Sequence, residues 1–269
     1  QPNEHVPRID EAYRFDRETT IAILAGFAFN RRVMVQGYHG TGKSTLLRSV
    51  AESFGVSFVF VEGNAELTPS RLIGNFDPAR VLDEGYAPSS FVDGPLVQAL
   101  REGSLLYVEE INRIPEETLN VLVTVMSEGE ITIPRYGVVK AGDGFRLVAA
   151  MNPFDAVGTA RISSAIADRV CRVAMTYQSP EDEVAIVHHA IRTTVSGLDA
   201  GWIRGVVEVT RATRTHPELR TGSSVRGAID TVLVATQLVT MRGSTSSVNE
   251  CGKDAAIVSL SGRVRLREG

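Results

Sequence analysis

Eight consecutive residues, Gly37-Tyr38-His39-Gly40-Thr41-Gly42-Lys43-Ser44, carry the strongest chemical signal in the chain. Their spacing is G-x-x-x-x-G-K-[ST], and each fixed position has a physical reason. Glycines permit the tight backbone conformations that bring N–H groups against phosphate oxygens. The positive end of a following helix faces the same anion. Lys43 is placed to reach β- and γ-phosphates, and the Ser44 hydroxyl suits a magnesium ion. Gly37, Tyr38, His39, Gly40, Thr41, Gly42, Lys43, Ser44 and Thr45 are therefore expected to cradle a nucleoside triphosphate. His39 fills an unconstrained position and is expected to face solvent or a neighbour rather than act as a base.

A bound triphosphate needs a metal partner and a way to activate water. Leu105-Leu106-Tyr107-Val108-Glu109-Glu110 is an apolar run ending in two carboxylates. In a parallel sheet, the carboxyl end of such a strand lines the ligand crevice beside the phosphate loop. Glu109 is then expected in the magnesium shell, and Glu110 is expected to orient or deprotonate the attacking water. Neighbouring strand residues point to opposite faces, which suits two roles better than one shared role.

The elements that must hold these groups are written in the periodicity. Residues 32–36, 57–61, 105–108, 146–150 and 170–174 read as short buried strands. Residues 45–54 and 116–127 read as helices, the second with Leu119, Leu122, Val123 and Met126 on one face. Residues 97–101 close another. This alternation of apolar strands and helices predicts an α/β fold, a mostly parallel sheet covered on both faces. Residues 66–94, rich in Pro, Gly and Asp, look inserted, as do residues 129–144, which read as a β-hairpin. Arg135 and Tyr136 fall at the hairpin's tip, either as partner contacts or as ordinary exposed turn residues. Beyond Tyr177 the character changes. Ser179-Pro180-Glu181-Asp182-Glu183 is a helix start: serine cap, proline at the first position, acids in the first turn. Helical patterns alone follow, at 201–215, 224–242 and 254–268. The expected division is an α/β domain over 1–178 and a helical domain over 179–269.

Composition bounds the function. The chain has 269 residues, 43% of them hydrophobic and 22% charged, an ordinary globular balance that suits one large and one small domain. A net charge of −4, with no interleaving of aromatic and basic residues, counts against a nucleic-acid partner. Cys171 and Cys251 form neither a disulfide framework nor a zinc spacing, which points to a reducing, cytoplasmic compartment. Cys171 sits in an apolar run and is expected in the core. No apolar stretch approaches the ~20 residues of a membrane span, and no secretory pattern opens the chain. Gln1 in place of Met points to a fragment of a longer protein.

Glu109-Glu110-Ile111-Asn112-Arg113, with Phe91-Val92-Asp93-Gly94-Pro95-Leu96 upstream, resembles the MoxR branch of the AAA+ ATPases. That branch typically has Asp-Glu-Ile-Asn-Arg there; here the first acid is Glu109. Residues 13–45, YRFDRETTIAILAGFAFNRRVMVQGYHGTGKST, are similar to the AAA+ (CobS-like) subunit of aerobic cobaltochelatase. Past Thr45 the likeness turns to generic MoxR proteins.

The resemblance implies a P-loop NTPase core with a small helical lid, ATP rather than GTP, Mg2+, and a homo-oligomeric ring, a hexamer. It implies that Asn152, in Ala150-Met151-Asn152-Pro153, is a sensor near the γ-phosphate. Arg169, in Ala167-Asp168-Arg169-Val170, matches the arginine finger that reaches a neighbouring subunit's nucleotide, with Asp168 to orient it and Arg161 as a second candidate. Arg226, in Ser223-Ser224-Val225-Arg226, resembles a second sensor on the lid. Leu72-Ile73-Gly74 lies in a region resembling the helix-2 insert, and residues 129–144 resemble the hairpin before the first sensor; both often face the ring's pore or its partner. The activity implied is ATP hydrolysis that remodels or activates a protein client, such as one with a von Willebrand factor A domain. The alternatives are the motor of a cobalt or magnesium chelatase, a nucleic-acid-directed motor, and a module that binds nucleotide without turnover. Intact Gly-Lys-Ser and Glu110 argue against the last.

Overall fold

A computed structural model of the chain describes residues 17–152, 164–243 and 246–267. Contacts divide the chain into two compact units, one built from Arg17–Gly37 and Lys43–Met175, the other from Tyr38–Gly42 and Thr176–Gly269. In the first unit the elements run α1 (Arg17–Ala28), β1 (Arg32–Gly37), α2 (Lys43–Phe54), β2 (Phe58–Glu62), α3 (Pro69–Ile73), β3 (Gly74–Phe76), α4 (Pro78–Glu84), β4 (Phe91–Asp93) and α5 (Pro95–Glu102). They continue with β5 (Leu105–Glu109), α6 (Glu116–Glu128), β6 (Glu130–Ile133), β7 (Gly137–Lys140), β8 (Arg146–Met151), α7 (Ser164–Ala167) and β9 (Val170–Met175).

Among the described residues, five strands form one parallel sheet in the order β2-β5-β8-β1-β9. The chain leaves β1 for the far edge, returns through β5 and β8, then crosses to β9 on the other side of β1. The strand order reverses at β1, and the crevice at such a point is where open α/β sheets take ligands. The strands lack hydrophobic alternation because helices cover them on both sides. Leu106, Tyr107, Val108, Val33, Val35 and Val148 are all fully buried. Leu46 and Leu47 of α2, Leu96 and Leu100 of α5, and Leu122 of α6 complete this core.

Both edge strands depart from that pattern, and β2 buries only Val61. β9 has β1 on one side only, and its single buried residue is Met175. Cys171, expected in the core, is exposed. An apolar run says that a segment can be buried, not that an edge position is covered.

The two inserts pack on each other. β3 pairs antiparallel with β4, and β6 with β7. Gly74 has φ +119°, and a β-carbon there would overlap the Val92 carbonyl, so the first ribbon requires glycine. Arg135, at the hairpin tip, also adopts a left-handed φ of +66°. Its guanidinium stacks 4.0 Å over the Tyr86 ring. Tyr136 packs against Phe91 with ring centroids 5.0 Å apart and accepts a hydrogen bond from Arg101. Phe76 touches both Tyr86 and Phe91, closing one aromatic cluster. The tip is thus tied to the other insert, with Tyr136 half-buried and Arg135 exposed.

The second unit contains α8 (Pro180–Ile191), α9 (Ala200–Thr215), β10 (Leu219–Thr221), α10 (Val225–Arg242), α11 (Val248–Leu260) and β11 (Arg265–Leu266). Ser179 caps α8 by accepting the Asp182 N–H at 3.1 Å, and Asp199 caps α9. Val187, Ile203, Val207 and Val232 meet in its core. Two details differ from the helical reading. A Ser247–Glu250 capping box starts α11 six residues before the expected position 254. Residues expected at the end of that helix instead form an antiparallel ribbon, with Leu219 opposite Leu266.

These burial differences predict contrasting stabilities. Leu106→Ala is expected to cost about 2–5 kcal/mol. Cys171→Ser should stay within about 0.5 kcal/mol of wild type. Urea melts check both, and an equally large loss at Cys171 would contradict its exposed position.

Candidate nucleotide site

The site begins where β1 stops. Both neighbours hold this strand in register, Gln36 opposite Met151 of β8 and Gly37 opposite Met175 of β9. The loop then turns through Gly40 at φ +75° and Gly42 at φ +83°. Gly40 is doubly constrained, because a β-carbon there would also overlap the Ser224 side chain. Helix α2 starts at Lys43. The lysine is 5% exposed, and its ammonium donates to the Gly37 carbonyl at 3.0 Å, folded back over the loop. Thr41 is buried and donates to the Tyr38 carbonyl at 3.0 Å. Ser44 is half-buried in the first turn of α2, whereas Thr45 and His39 are exposed.

Strand register brings the acidic groups to the same end of the sheet. Val108 of β5 stands opposite Ala149 of β8, and Ala149 opposite Met34 of β1, so Glu109, Glu110 and Asn152 come at the same carboxyl end of the sheet as Gly37. Asn152 is half-buried directly after β8. Glu109 is the last strand residue, and its carbonyl accepts the Gly63 N–H at 2.8 Å. Glu110 is not in the strand. It adopts φ +51°, a left-handed conformation that costs a residue with a β-carbon about 1–2 kcal/mol. Strand alternation therefore does not separate the two carboxylates; a backbone turn does. Strain of this kind gathers at functional sites. Arg113 pairs with Glu110 at 2.7 Å across the short 3-10 turn that follows.

Sequence reasoning passed over Arg113 as a partner and Tyr107 altogether. Tyr107 reads as one more apolar strand residue, and it is fully buried. Its hydroxyl lies beside Ser44 and Glu109 without a well-formed hydrogen bond. Burial first, then the Glu109 carboxylate, pushes its ionisation far above the usual tyrosine range, so it stays a neutral phenol. An orphaned polar atom between a hydroxyl and a carboxylate fits a magnesium–nucleotide ligand. Among the described residues, no group of three His, Cys, Asp or Glu could hold a metal alone. Magnesium in phosphate sites takes one or two protein groups plus phosphates and water. Ser44 and Glu109 would supply those groups.

Two arginines stand differently. Arg169 precedes β9, whose first residue, Val170, is opposite Arg32 at the other end of β1 from Gly37. A strand of this length separates those ends by about 17–20 Å, so Arg169 is not brought to this chain's own cradle. It is exposed and donates to the Ser127 hydroxyl at 2.7 Å and the Ala165 carbonyl at 2.8 Å. Asp168 is exposed as well. Arg226 is exposed in the first turn of α10, with its side chain passing beside Gly40. Arg161 lies outside the described residues.

A family model described as the AAA domain, dynein-related subfamily, matches residues 32–170, more than half of the chain. The chain belongs to the AAA family. This AAA protein is 36% identical over 243 residues to the aerobic cobaltochelatase subunit CobS of a Sinorhizobium species, covering 84% of this chain and 71% of that protein. The likeness to that subunit is thus not confined to residues before Thr45. An uncharacterized Staphylococcus aureus protein is 34% identical over 153 residues, 56% of this chain and 57% of that protein. Among solved structures, the fold matches a Thermotoga maritima RuvB mutant with a TM-score of 0.63 at 13% identity, covering 94% and 73% of the two chains. It also matches a complex of magnesium chelatase subunits BchI and BchD with a TM-score of 0.50 at 21% identity, covering 96% of each. The architecture is that of an AAA P-loop NTPase, a parallel sheet flanked by helices with a helical region after it. No helix among the described residues is long and apolar enough to cross a membrane.

The Tyr107 environment makes a two-part prediction. Tyr107→Phe removes a buried, poorly paired hydroxyl, so the nucleotide-free protein should melt at the wild-type temperature or gain up to about 1 kcal/mol. The additional thermal shift from Mg2+ with ATP should shrink. An undiminished shift would remove Tyr107 from the metal's surroundings.

Proposed function

We propose that this AAA protein hydrolyses ATP as one subunit of a ring and uses the cycle to drive a partner protein. One observation carries the reading: Gly37–Ser44, Glu109–Glu110 and Asn152 come at the carboxyl ends of β1, β5 and β8, while Arg169 lies at the opposite strand end. An arginine so placed has no target in its own subunit and suits a neighbour's nucleotide. In this reading the loop amides and Lys43 hold the β- and γ-phosphates, with Lys43 exchanging its Gly37 carbonyl for phosphate oxygen. Bound magnesium neutralises phosphate charge. Glu110 takes the proton of the attacking water, Asn152 orients that water, and Arg169 of the next subunit faces the γ-phosphate. Arg226, beside Gly40, supplies a further cation. Residues 179–269 act as the lid.

The relation to CobS over 84% of the chain favours a metal chelatase as the driven partner. A chaperone-like role toward a client with a von Willebrand factor A domain, as in MoxR proteins, is the second reading. The shared insert cluster is the surface either partner would meet.

Glu110→Gln is expected to keep Mg·ATP binding and lose at least about a hundredfold in turnover. A wild-type steady-state rate would refute its role. Arg169→Ala and Lys43→Ala should each be nearly inactive, and mixing them should restore part of the activity, because intact loops and intact arginines then meet across interfaces. No recovery at any ratio would count against the ring.

A further inference from the structure

One network in the second unit has no role in the scheme above. Glu183, in the first turn of α8, is fully buried. Two arginines of α9 hold it: Arg214 as a fork at 2.7 and 3.3 Å, and Arg211 at 3.2 Å. A buried carboxylate persists only while its partners stay, so this geometry is close to fixed. Arg214 also donates to the Ser223 carbonyl at 2.7 Å, and its guanidinium lies 3.9 Å over the Tyr177 ring. Tyr177 stacks in turn on Tyr38, with centroids 4.9 Å apart and planes 13° from parallel. Tyr38 is the second residue of the phosphate loop. Arg211 opens a parallel line. It donates to the Gln178 carbonyl at 2.9 Å, and the Gln178 amide donates to the Thr41 carbonyl at 2.9 Å.

Two lines therefore run from one buried carboxylate to two points of the same loop, residues 38 and 41. We propose that Glu183, Arg211, Arg214, Tyr177 and Gln178 form a brace that presets the phosphate loop, making them positioning residues for nucleotide binding. The inference rests on the reading of Gly37–Ser44 as a phosphate cradle. Glycine-rich backbone has the most conformational freedom to lose, and a ligand that must order its own site binds more weakly by the fraction already ordered. Holding the loop on both sides of Gly40 removes that penalty before the nucleotide arrives. The stack also explains an aromatic residue at position 38, which the phosphate-loop spacing leaves unconstrained.

Binding of a fluorescent N-methylanthraniloyl ATP with Mg2+ to the full chain, alongside thermal melts, tests the brace. Tyr177→Phe keeps the stack and should bind within about twofold of wild type. Tyr177→Leu and Tyr38→Leu should each weaken binding about three- to tenfold. The double variant should be no weaker than either single one, because both break the same contact. Arg214→Lys keeps the charge but loses the planar face and fork, and should weaken binding comparably. Wild-type affinity in Tyr177→Leu, or full additivity in the double variant, would overturn the proposal. So would variants that melt earlier yet bind normally well below their melting point. If Tyr177→Leu does not fold, Tyr38→Leu, a loop side chain outside the core, decides alone: wild-type affinity there refutes the brace. Failure of the wild-type chain to bind at all would instead sink the cradle reading, and the brace with it.

Discussion

Parallel pairing of β1 on both sides is the constraint on which the site depends. β8 and β9 clamp the strand to its last residues, so the chain leaves the sheet at a fixed point and direction. The loop that follows must reverse into α2 within a few residues, and only glycine tolerates the conformations at Gly40 and Gly42 without strain. In the proposed function, the backbone amides of this loop and the start of α2 would hold an anion in place of the water that such donors otherwise require. Glu109, Glu110 and Asn152 come at the same end of the sheet because β5 and β8 run parallel to β1.

Charge is arranged around that volume with internal partners. Lys43 rests on the Gly37 carbonyl, and Glu110 rests on Arg113. Each contact keeps a charged group satisfied, and in the proposed cycle each would be exchanged for phosphate or water. Tyr107 stays uncharged beneath them and has the least satisfactory hydrogen bonding of the set. The left-handed Glu110 is held by a turn in which the Arg113 N–H donates to its carbonyl at 2.9 Å. Strain and ion pair thus sit on the same carboxylate that is assigned to water activation.

Much of this was legible in the residues, and the reason differs from element to element. The phosphate loop is local: spacing, glycines and flanking strand and helix all lie within residues 32–54. Interior strands announce themselves by uninterrupted apolar runs. What escaped were features that depend on who the neighbour is. Cys171 looks like core until β9 proves to be an edge. Tyr107 looks like core, and is, but its hydroxyl matters only once Ser44 is placed above it. Arg135 and Tyr136 read as a hairpin tip, while their aromatic partners come from an insert some fifty residues earlier in the chain. The ribbon of β10 and β11 joins segments more than forty residues apart, beyond the reach of local periodicity. Glu183 gave the opposite impression: an acid in a helix's first turn suggests solvent and the helix dipole, whereas two arginines from α9 draw it into the interior.

The proposed function stands or falls with the loop between β1 and α2 as a nucleotide phosphate cradle. Isothermal titration calorimetry with Mg·ATP addresses it without any need for turnover or partner. One site per chain is expected in the wild type and loss of measurable heat in Lys43→Ala, with both proteins melting cooperatively. Equal affinity in the two proteins, or no binding by the wild type, would contradict it.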